Sequence, residues 1–341
     1  MSTELDYPFE KPTASGQIKE VADGIFWIEL PLPFALNHIN VYALRDNDGW
    51  TVIDTGIYTP EVQALWEKLS GEAYDNRKVG RVIVTHFHPD HIGNAGWFKE
   101  NYGAELCMAQ EEWLMGRLLA TDNTEETMVS NANFYRQCDF AEEVTSELLK
   151  RGFQYSKAVD LIPRQFFRLC DGDTITIDGR DWEIIVGHGH SPEHVCLYSE
   201  ELKILFSGDQ ILPRITPIIG VYPMEPDANP LFRFLESLKK FNRVHPDTLV
   251  LPSHGLPFRG VHARIEKTSD HHQKRLDMLH EACDTPHTVL QATKVLFKRE
   301  FDAQTARMAA TETLAHLNLL RRQGLMEKSE RDDGVWLFRS L

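Results

Sequence analysis

The 341-residue chain has no apolar run of the roughly 18 residues that a membrane-spanning helix needs. Its opening stretch, MSTELDYPFEKPTASG, carries acidic residues early and no apolar segment, so no signal peptide is expected. Cysteine is sparse. Cys107, Cys138, Cys170, Cys196 and Cys283 are odd in number, scattered, and form no C-x-x-C pair. That excludes a disulfide scaffold, argues against a zinc-thiolate site, and fits the reduced thiols of a cytoplasmic protein. Basic residues are outnumbered, 36 against 51 acidic ones, for a formal net charge of −15. A field of that sign repels polyanions, so the expected partner is a small-molecule substrate, not nucleic acid or a membrane. No internal repeat and no low-complexity tract interrupts the chain.

What is present is the composition of a soluble globular protein, 42% hydrophobic and 26% charged. The length favours two domains. Within residues 19–56, GIFWIELPL, INVYAL and WTVIDTG read as strands, with a turn at Asp46-Asn47-Asp48-Gly49. Residues 61–70 read as a helix and RVIVTH (81–86) as a short buried strand. Residues 94–120 alternate helix with a strand near 104–108, and 121–157 are polar and helix-prone. DTITIDG, DWEIIVGH, HVCLYSE and KILFSGD then read as strands, followed by a helix over 230–242 and the strand TLVLPSHG. The character changes near residue 260. Residues 262–341 hold 13 basic and 12 acidic residues, so the acidic surplus lies in the preceding part. This tail predicts three helices, near 262–283, 287–300 and 303–323, then a hairpin closed by RDDG. That is the outline of a winged helix. The expected division is a catalytic domain over 1–260 and a winged-helix-like domain over 261–341.

Fifteen histidines point toward metal chemistry, because neutral imidazole is the commonest metal ligand. The strongest motif is Thr85-His86-Phe87-His88-Pro89-Asp90-His91, after the RVIV strand. Pro89 cannot extend a ladder, so the segment must turn. A tight turn can aim His86 and His88 at one ion, and Asp90 and His91 at a neighbouring one. Such nitrogen and oxygen donors suit zinc, iron or manganese. Three further segments end a strand with a ligand-type residue amid small neighbours: Gly187-His188-Gly189-His190-Ser191-Pro192, Ser207-Gly208-Asp209 and Pro252-Ser253-His254-Gly255.

His86-x-His88-x-Asp90-His91, followed by His190, Asp209 and His254, resembles the metallo-β-lactamase superfamily over residues 19–260. Asp54-Thr55-Gly56 resembles that family's early strand-end motif. The resemblance implies an α/β fold, an αββα sandwich with metals at one sheet edge. It implies two divalent metal ions, zinc foremost, with iron or manganese as alternatives. His86, His88 and His190 would hold the first and Asp90, His91 and His254 the second, with Asp209 bridging. Asp54 would orient a ligand histidine, or simply end its strand. His190 is preferred over His188 because its Gly-His-Ser-Pro context matches the family's. His194 reads as a structural hydrogen-bonding residue. The pair His271-His272 is a poor chelate on a helix, since adjacent residues do not share a face.

Aspartate at 209, where many β-lactamases carry cysteine, favours dinuclear hydrolases similar to glyoxalase II. Two ions would lower the pKa of a bridging water, and the resulting hydroxide would attack a carbonyl or phosphorus. Asp90, assigned the catalytic role, would hold one ion and accept a hydrogen bond from the nucleophile. The expected reaction is hydrolysis of a small carbonyl ester, a thioester foremost. The tail instead resembles that of a lactamase-like subfamily that includes a single-stranded RNA endonuclease, which is the alternative function. Against it stands the thin set Arg307, Arg321 and Arg322 on the third tail helix. A lid or homodimer surface is the expected role of the tail. Residues 121–170 and 213–230 are the expected pocket walls, with Phe134, Tyr135, Arg164, Arg214 and Tyr222 as candidate contacts.

Overall fold

The computed structural model describes residues 5–12, 14–34, 36–47, 49–72, 78–151, 155–298 and 301–341. Asp48 of the expected turn and the last two positions of the helix expected over 287–300 lie outside these residues. In chain order the elements begin β1 (Ile18–Ala22), β2 (Ile25–Pro31), β3 (His38–Asp46), β4 (Gly49–Ile53), α1 (Pro60–Glu72), β5 (Val79–Ile83), α2 (Pro89–Ile92), α3 (Ala95–Tyr102), β6 (Glu105–Met108) and α4 (Gln110–Thr121). They continue α5 (Glu125–Gln137), α6 (Glu142–Arg151), α7 (Tyr155–Ala158), β7 (Phe167–Arg168), β8 (Thr174–Ile177), β9 (Arg180–Gly187), β10 (His194–Ser199), β11 (Ile204–Gly208), α8 (Pro230–Leu238) and β12 (Leu249–Pro252). The last are α9 (Val261–Ala282), β13 (His287–Thr288), α10 (Val289–Leu296), α11 (Ala303–Arg322), β14 (Met326–Glu330) and β15 (Trp336–Ser340). Among the described residues no helix is long and apolar enough to cross a membrane.

The chain divides into two compact units, each built from separate segments. The first holds Met1–Thr121, Phe153–Pro217 and Lys240–Arg264. Its larger sheet runs β1 to β7 in sequence order, antiparallel through β4 and parallel from β4 to β7. The second sheet has the order β12-β11-β10-β9-β8, with β11 and β12 parallel. The sheets pack face to face. Trp27, Tyr42, Ile53 and Ile83 from the first share one core with Trp182, Ile184, Leu197, Phe206 and Leu251 from the second. Alternate residues of the same strands, Ile28, Val41, Val52 and Val82, point the other way, onto Val62, Trp66 and Leu69 of α1 and Phe98 of α3. Strands buried on both faces must be apolar almost throughout, which is why β2 to β5 lack a polar face. This is the mixed α/β two-sheet fold expected. The turn after β12 returns the chain along its own edge, where Val250 and Phe258 exchange backbone hydrogen bonds of 2.7 and 3.0 Å.

The second unit holds Asp122–Gly152, Ile218–Lys239 and Ile265–Leu341. Its tail order is helix, strand, helix, helix and hairpin, with β13, β15 and β14 in a separate three-stranded sheet. Thr288 opens α10 with a capping box: its hydroxyl accepts the Gln291 N–H, and the Gln291 side chain accepts the Thr288 N–H. Residues 309–320 of α11 are buried all round, so its polar groups must find partners inside. Asn318 donates to the Pro226 and Ala228 carbonyls at 3.0 and 2.9 Å. His316 Nδ1 donates to the Glu312 carbonyl at 2.8 Å, which leaves its Nε2 to accept from His272 Nδ1 at 3.1 Å. Burial holds the His316 imidazole down at about 3. Phe134 packs edge-on against Trp336, and the Arg307 guanidinium lies over the Tyr135 ring. These two candidate contacts therefore serve the packing of the second unit. Arg164 is exposed, and the Arg214 guanidinium lies over the Tyr7 ring in the first unit.

Candidate metal centre

Five strand ends of the first unit converge at one edge. Asp54 follows β4, β5 leads into 86–91, the 188–193 loop follows β9, Asp209 follows β11, and His254 follows β12. Pro89 starts the one-turn helix α2, whose pre-set φ suits that position. The turn leaves His86 and His88 before the helix and Asp90 and His91 within it. Gly93 packs against the Gly56 carbonyl, where a Cβ would collide with backbone. Asn94 Nδ2 reaches the carbonyls of Thr55, Gly56 and Ile57, each at 3.0 Å. The β4 end and the histidine loop are thereby fixed to each other.

The seven expected residues come together. Three donor groups form, each with ligand atoms within 4.8 Å of one another: His86, His88 and His190; His86, His91 and Asp209; and Asp90, His91 and His254. His86 Nε2 lies 2.8 Å from His88 Nδ1 and 3.2 Å from His190 Nε2. Asp209 Oδ2 is 3.4 Å from His190 Nε2. Its other oxygen, Oδ1, is 3.7 Å from His91 Nε2 and 3.5 Å from His254 Nε2. Asp90 Oδ2 lies 3.4 Å from His254 Nε2 and 3.7 Å from His91 Nε2. His188 turns elsewhere, its Nδ1 2.7 Å from the Pro192 carbonyl.

This donor set fits metal ions. His91 Nε2 and Asp209 Oδ1 are buried with no hydrogen-bond partner among the described residues, although buried polar atoms are normally satisfied. Burial, reinforced by the neighbouring imidazoles, holds His86 well below its usual range. His88 is held down to about 3 by burial and by His190. Both therefore present bare lone pairs at neutral pH. Burial raises the Asp209 carboxyl, but His254 and His91 outweigh it and hold the group well below the usual carboxylate range. Asp90 is likewise held at about 2, its burial outweighed by His91 and His254. Neutral His86 and His88 beside ionised Asp90 and Asp209 offer lone pairs and negative charge to divalent cations.

Asp54 sits behind the donors. Its Oδ2 is 2.7 Å from His91 Nδ1 and accepts the Thr85 hydroxyl at 2.9 Å, while its Oδ1 accepts the Thr85 N–H at 2.8 Å. A carboxylate on Nδ1 turns the Nε2 lone pair of His91 toward the cluster. His194 accepts the Asp209 N–H at 3.0 Å and so braces that aspartate, the structural role expected of it. Gly208, at φ +51°, lies so close to the His194 ring that no side chain fits. Sequence reasoning missed Thr85 and Glu112. Glu112 is fully buried and accepts the N–H groups of Phe87 and Glu193. Its one signal was its position, a carboxylate on the face of α4 that also buries Gly116.

The model of the metallo-beta-lactamase superfamily matches residues 35–254 of this chain. The chain belongs to that superfamily. The metallo-beta-lactamase-like C-terminal domain matches residues 276–341. A beta-lactamase domain protein from Burkholderia ambifaria superposes with a TM-score of 0.92 and 39% identity, covering 99% of this chain and 98% of that one. A probable metallo-hydrolase of Bacillus subtilis is 28% identical over 87% of this chain and 92% of its own length. The human acyl-coenzyme A thioesterase MBLAC2 is 26% identical over 57% of this chain and 65% of its own length. With the donor cluster above, these similarities make the chain a metallo-hydrolase of the metallo-beta-lactamase superfamily.

Proposed function

We propose that this protein hydrolyses a small acyl thioester at a two-ion centre, with zinc as the leading metal. The observation that carries the reading is Asp209, whose two oxygens face different donor groups, Oδ2 toward His190 and Oδ1 toward His91 and His254. His86, His88 and His190 would hold one ion, and Asp90, His91 and His254 the other. Two divalent ions so held supply a Lewis acid and a water acidic enough to be a nucleophile near neutral pH. Asp90, ionised and beside His254, would accept a hydrogen bond from that water and orient it toward the acyl carbon. Asp54 and His194 keep His91 and Asp209 in place while charge moves past them. A thiolate leaves without a strong general acid, so the absence of a further proton donor from the assigned set is compatible with this substrate class.

The thioester assignment draws on the similarity to the acyl-coenzyme A thioesterase, which covers only part of each chain. We read the tail as a winged helix used for packing, not for nucleic acid. The arginines of α11 support this. Arg321 pairs with Asp227 at 2.8 Å, Arg322 donates to the Asp227 carbonyl, and Arg307 covers Tyr135. The test is release of free thiol from acyl-coenzyme A and acyl-glutathione by the metal-loaded chain, with single-stranded RNA as the comparison substrate.

A further inference from the structure

The three imidazoles of the first donor group come from two separate loops. His86 and His88 flank Phe87, while His190 lies three residues before Glu193. One side chain joins these loops. Glu112, on α4, is completely buried. Its Oε2 accepts the Phe87 N–H at 3.0 Å and its Oε1 accepts the Glu193 N–H at 2.6 Å. The link is reciprocal, because Glu193 Oε2 accepts the N–H of Glu111 in the first turn of α4 at 2.8 Å. Helix and loop thus hold each other, and the histidine loop hangs from the same carboxylate. Among the described residues no lysine or arginine is found among the groups that act on Glu112. Burying a carboxylate is costly, and the groups that offset it here are Ser191, the two backbone N–H groups and His190, all of them in or beside the two histidine loops.

We propose that Glu112 is a positioning residue for the first ion, holding the His86–His88 loop in register with the His190 loop so that three imidazoles reach one point. The assignment rests on reading that group as a metal site. The second group is built without Glu112. His91 is fixed by Asp54 and by its carbonyl, which accepts the Thr55 hydroxyl at 2.8 Å, and His254 Nδ1 lies 3.0 Å from the His38 carbonyl. Loss of Glu112 should therefore weaken one ion and spare the other.

The experiment is a chelator-competition titration of the purified full chain with Zn(II), repeated with Co(II) for its visible absorption. Wild type, E112Q and E112A are compared, with thermal unfolding of each metal-free protein alongside. Glutamine keeps one acceptor but sets its NH2 against the second backbone N–H; alanine offers neither acceptor. The expected result is two equivalents bound by wild type. One equivalent is weakened about tenfold in E112Q and about a hundredfold in E112A, while the other keeps its affinity. The Co(II) spectrum changes for the weakened equivalent alone. If E112A does not fold, E112Q carries the test. Equal weakening of both equivalents, or a lowered melting temperature with both affinities intact, overturns the assignment of Glu112. Fewer than two equivalents in wild type overturns the two-ion reading itself.

Discussion

Replacing Asp54 by asparagine isolates what its charge does for the metal centre. The backbone there has φ +60°, a left-handed conformation that asparagine tolerates, so the change adds little strain. The residue is 1% exposed, so water cannot repair what is lost. The aspartate accepts two hydrogen bonds from Thr85 and faces His91 Nδ1. The amide oxygen of asparagine can keep the Thr85 N–H, but its NH2 then meets His91 Nδ1. That favours the tautomer with a proton on Nε2, where an ion needs a lone pair. If the amide flips instead, the Thr85 N–H is orphaned at a cost of about 1–3 kcal/mol. Losing such an outer partner weakens metal binding by about 10–100-fold, or about 1.4–2.7 kcal/mol. The assay is Zn(II) titration against a chromophoric chelator, with urea unfolding of the metal-free protein. One equivalent should weaken by that factor, while the equivalent held by His86, His88 and His190 is retained. An Asp54→Asn protein that binds both equivalents with wild-type affinity would refute the orienting role.

Asp90→Ala should cut turnover at least about a hundredfold, since it removes a donor as well as the proposed hydrogen-bond acceptor, while circular dichroism shows the fold retained; near-normal turnover would count against Asp90. Metal uptake should release protons at pH 8, because burial disfavours a charged His91 but Asp54, Asp90 and Asp209 outweigh it and hold the group up to about 10; a weakly buffered titration with an indicator dye reads this, and zero release contradicts it. Stability should fall on acidification. His316 is held at about 3 in the folded protein, so the unfolded chain binds the extra proton between about pH 6.5 and 3. That stability is present above 6.5 and is lost as pH falls, by up to about 1.4 kcal/mol per pH unit. His316→Gln should show a shallower pH dependence of the urea midpoint than wild type, and equal slopes would sink the idea.

The clustered donor residues were legible because their segments each follow a strand, and because their order resembles that of the metallo-β-lactamase superfamily. The core strands were legible because burial on both faces demands continuous apolar runs. The two-residue strand β7 carries no such mark, and both of its residues are exposed. β1 escaped notice for a related reason, with one buried residue in five. Glu112 was invisible because its work is to satisfy backbone N–H groups distant in sequence, and Thr85 because it donates to Asp54, 31 residues earlier; no local pattern encodes either. Sequence could not show His272 finding His316, 44 residues away. Of the expected pocket walls, 121–170 and 213–230, residues 122–152 and 218–230 belong to the compact unit that contains most of the tail. Their polar, helix-prone composition gave no sign of which core they would join.

The most direct test is thiol release from acyl-coenzyme A by the Zn(II)-loaded protein, followed beside the chelated protein and Asp90→Ala, with single-stranded RNA offered in parallel. The account predicts steady release by the loaded wild type, loss on chelation, at least about a hundredfold loss in the variant, and intact RNA. RNA cleaved in a metal- and Asp90-dependent manner, with no thiol released from acyl-coenzyme A or acyl-glutathione, would contradict it.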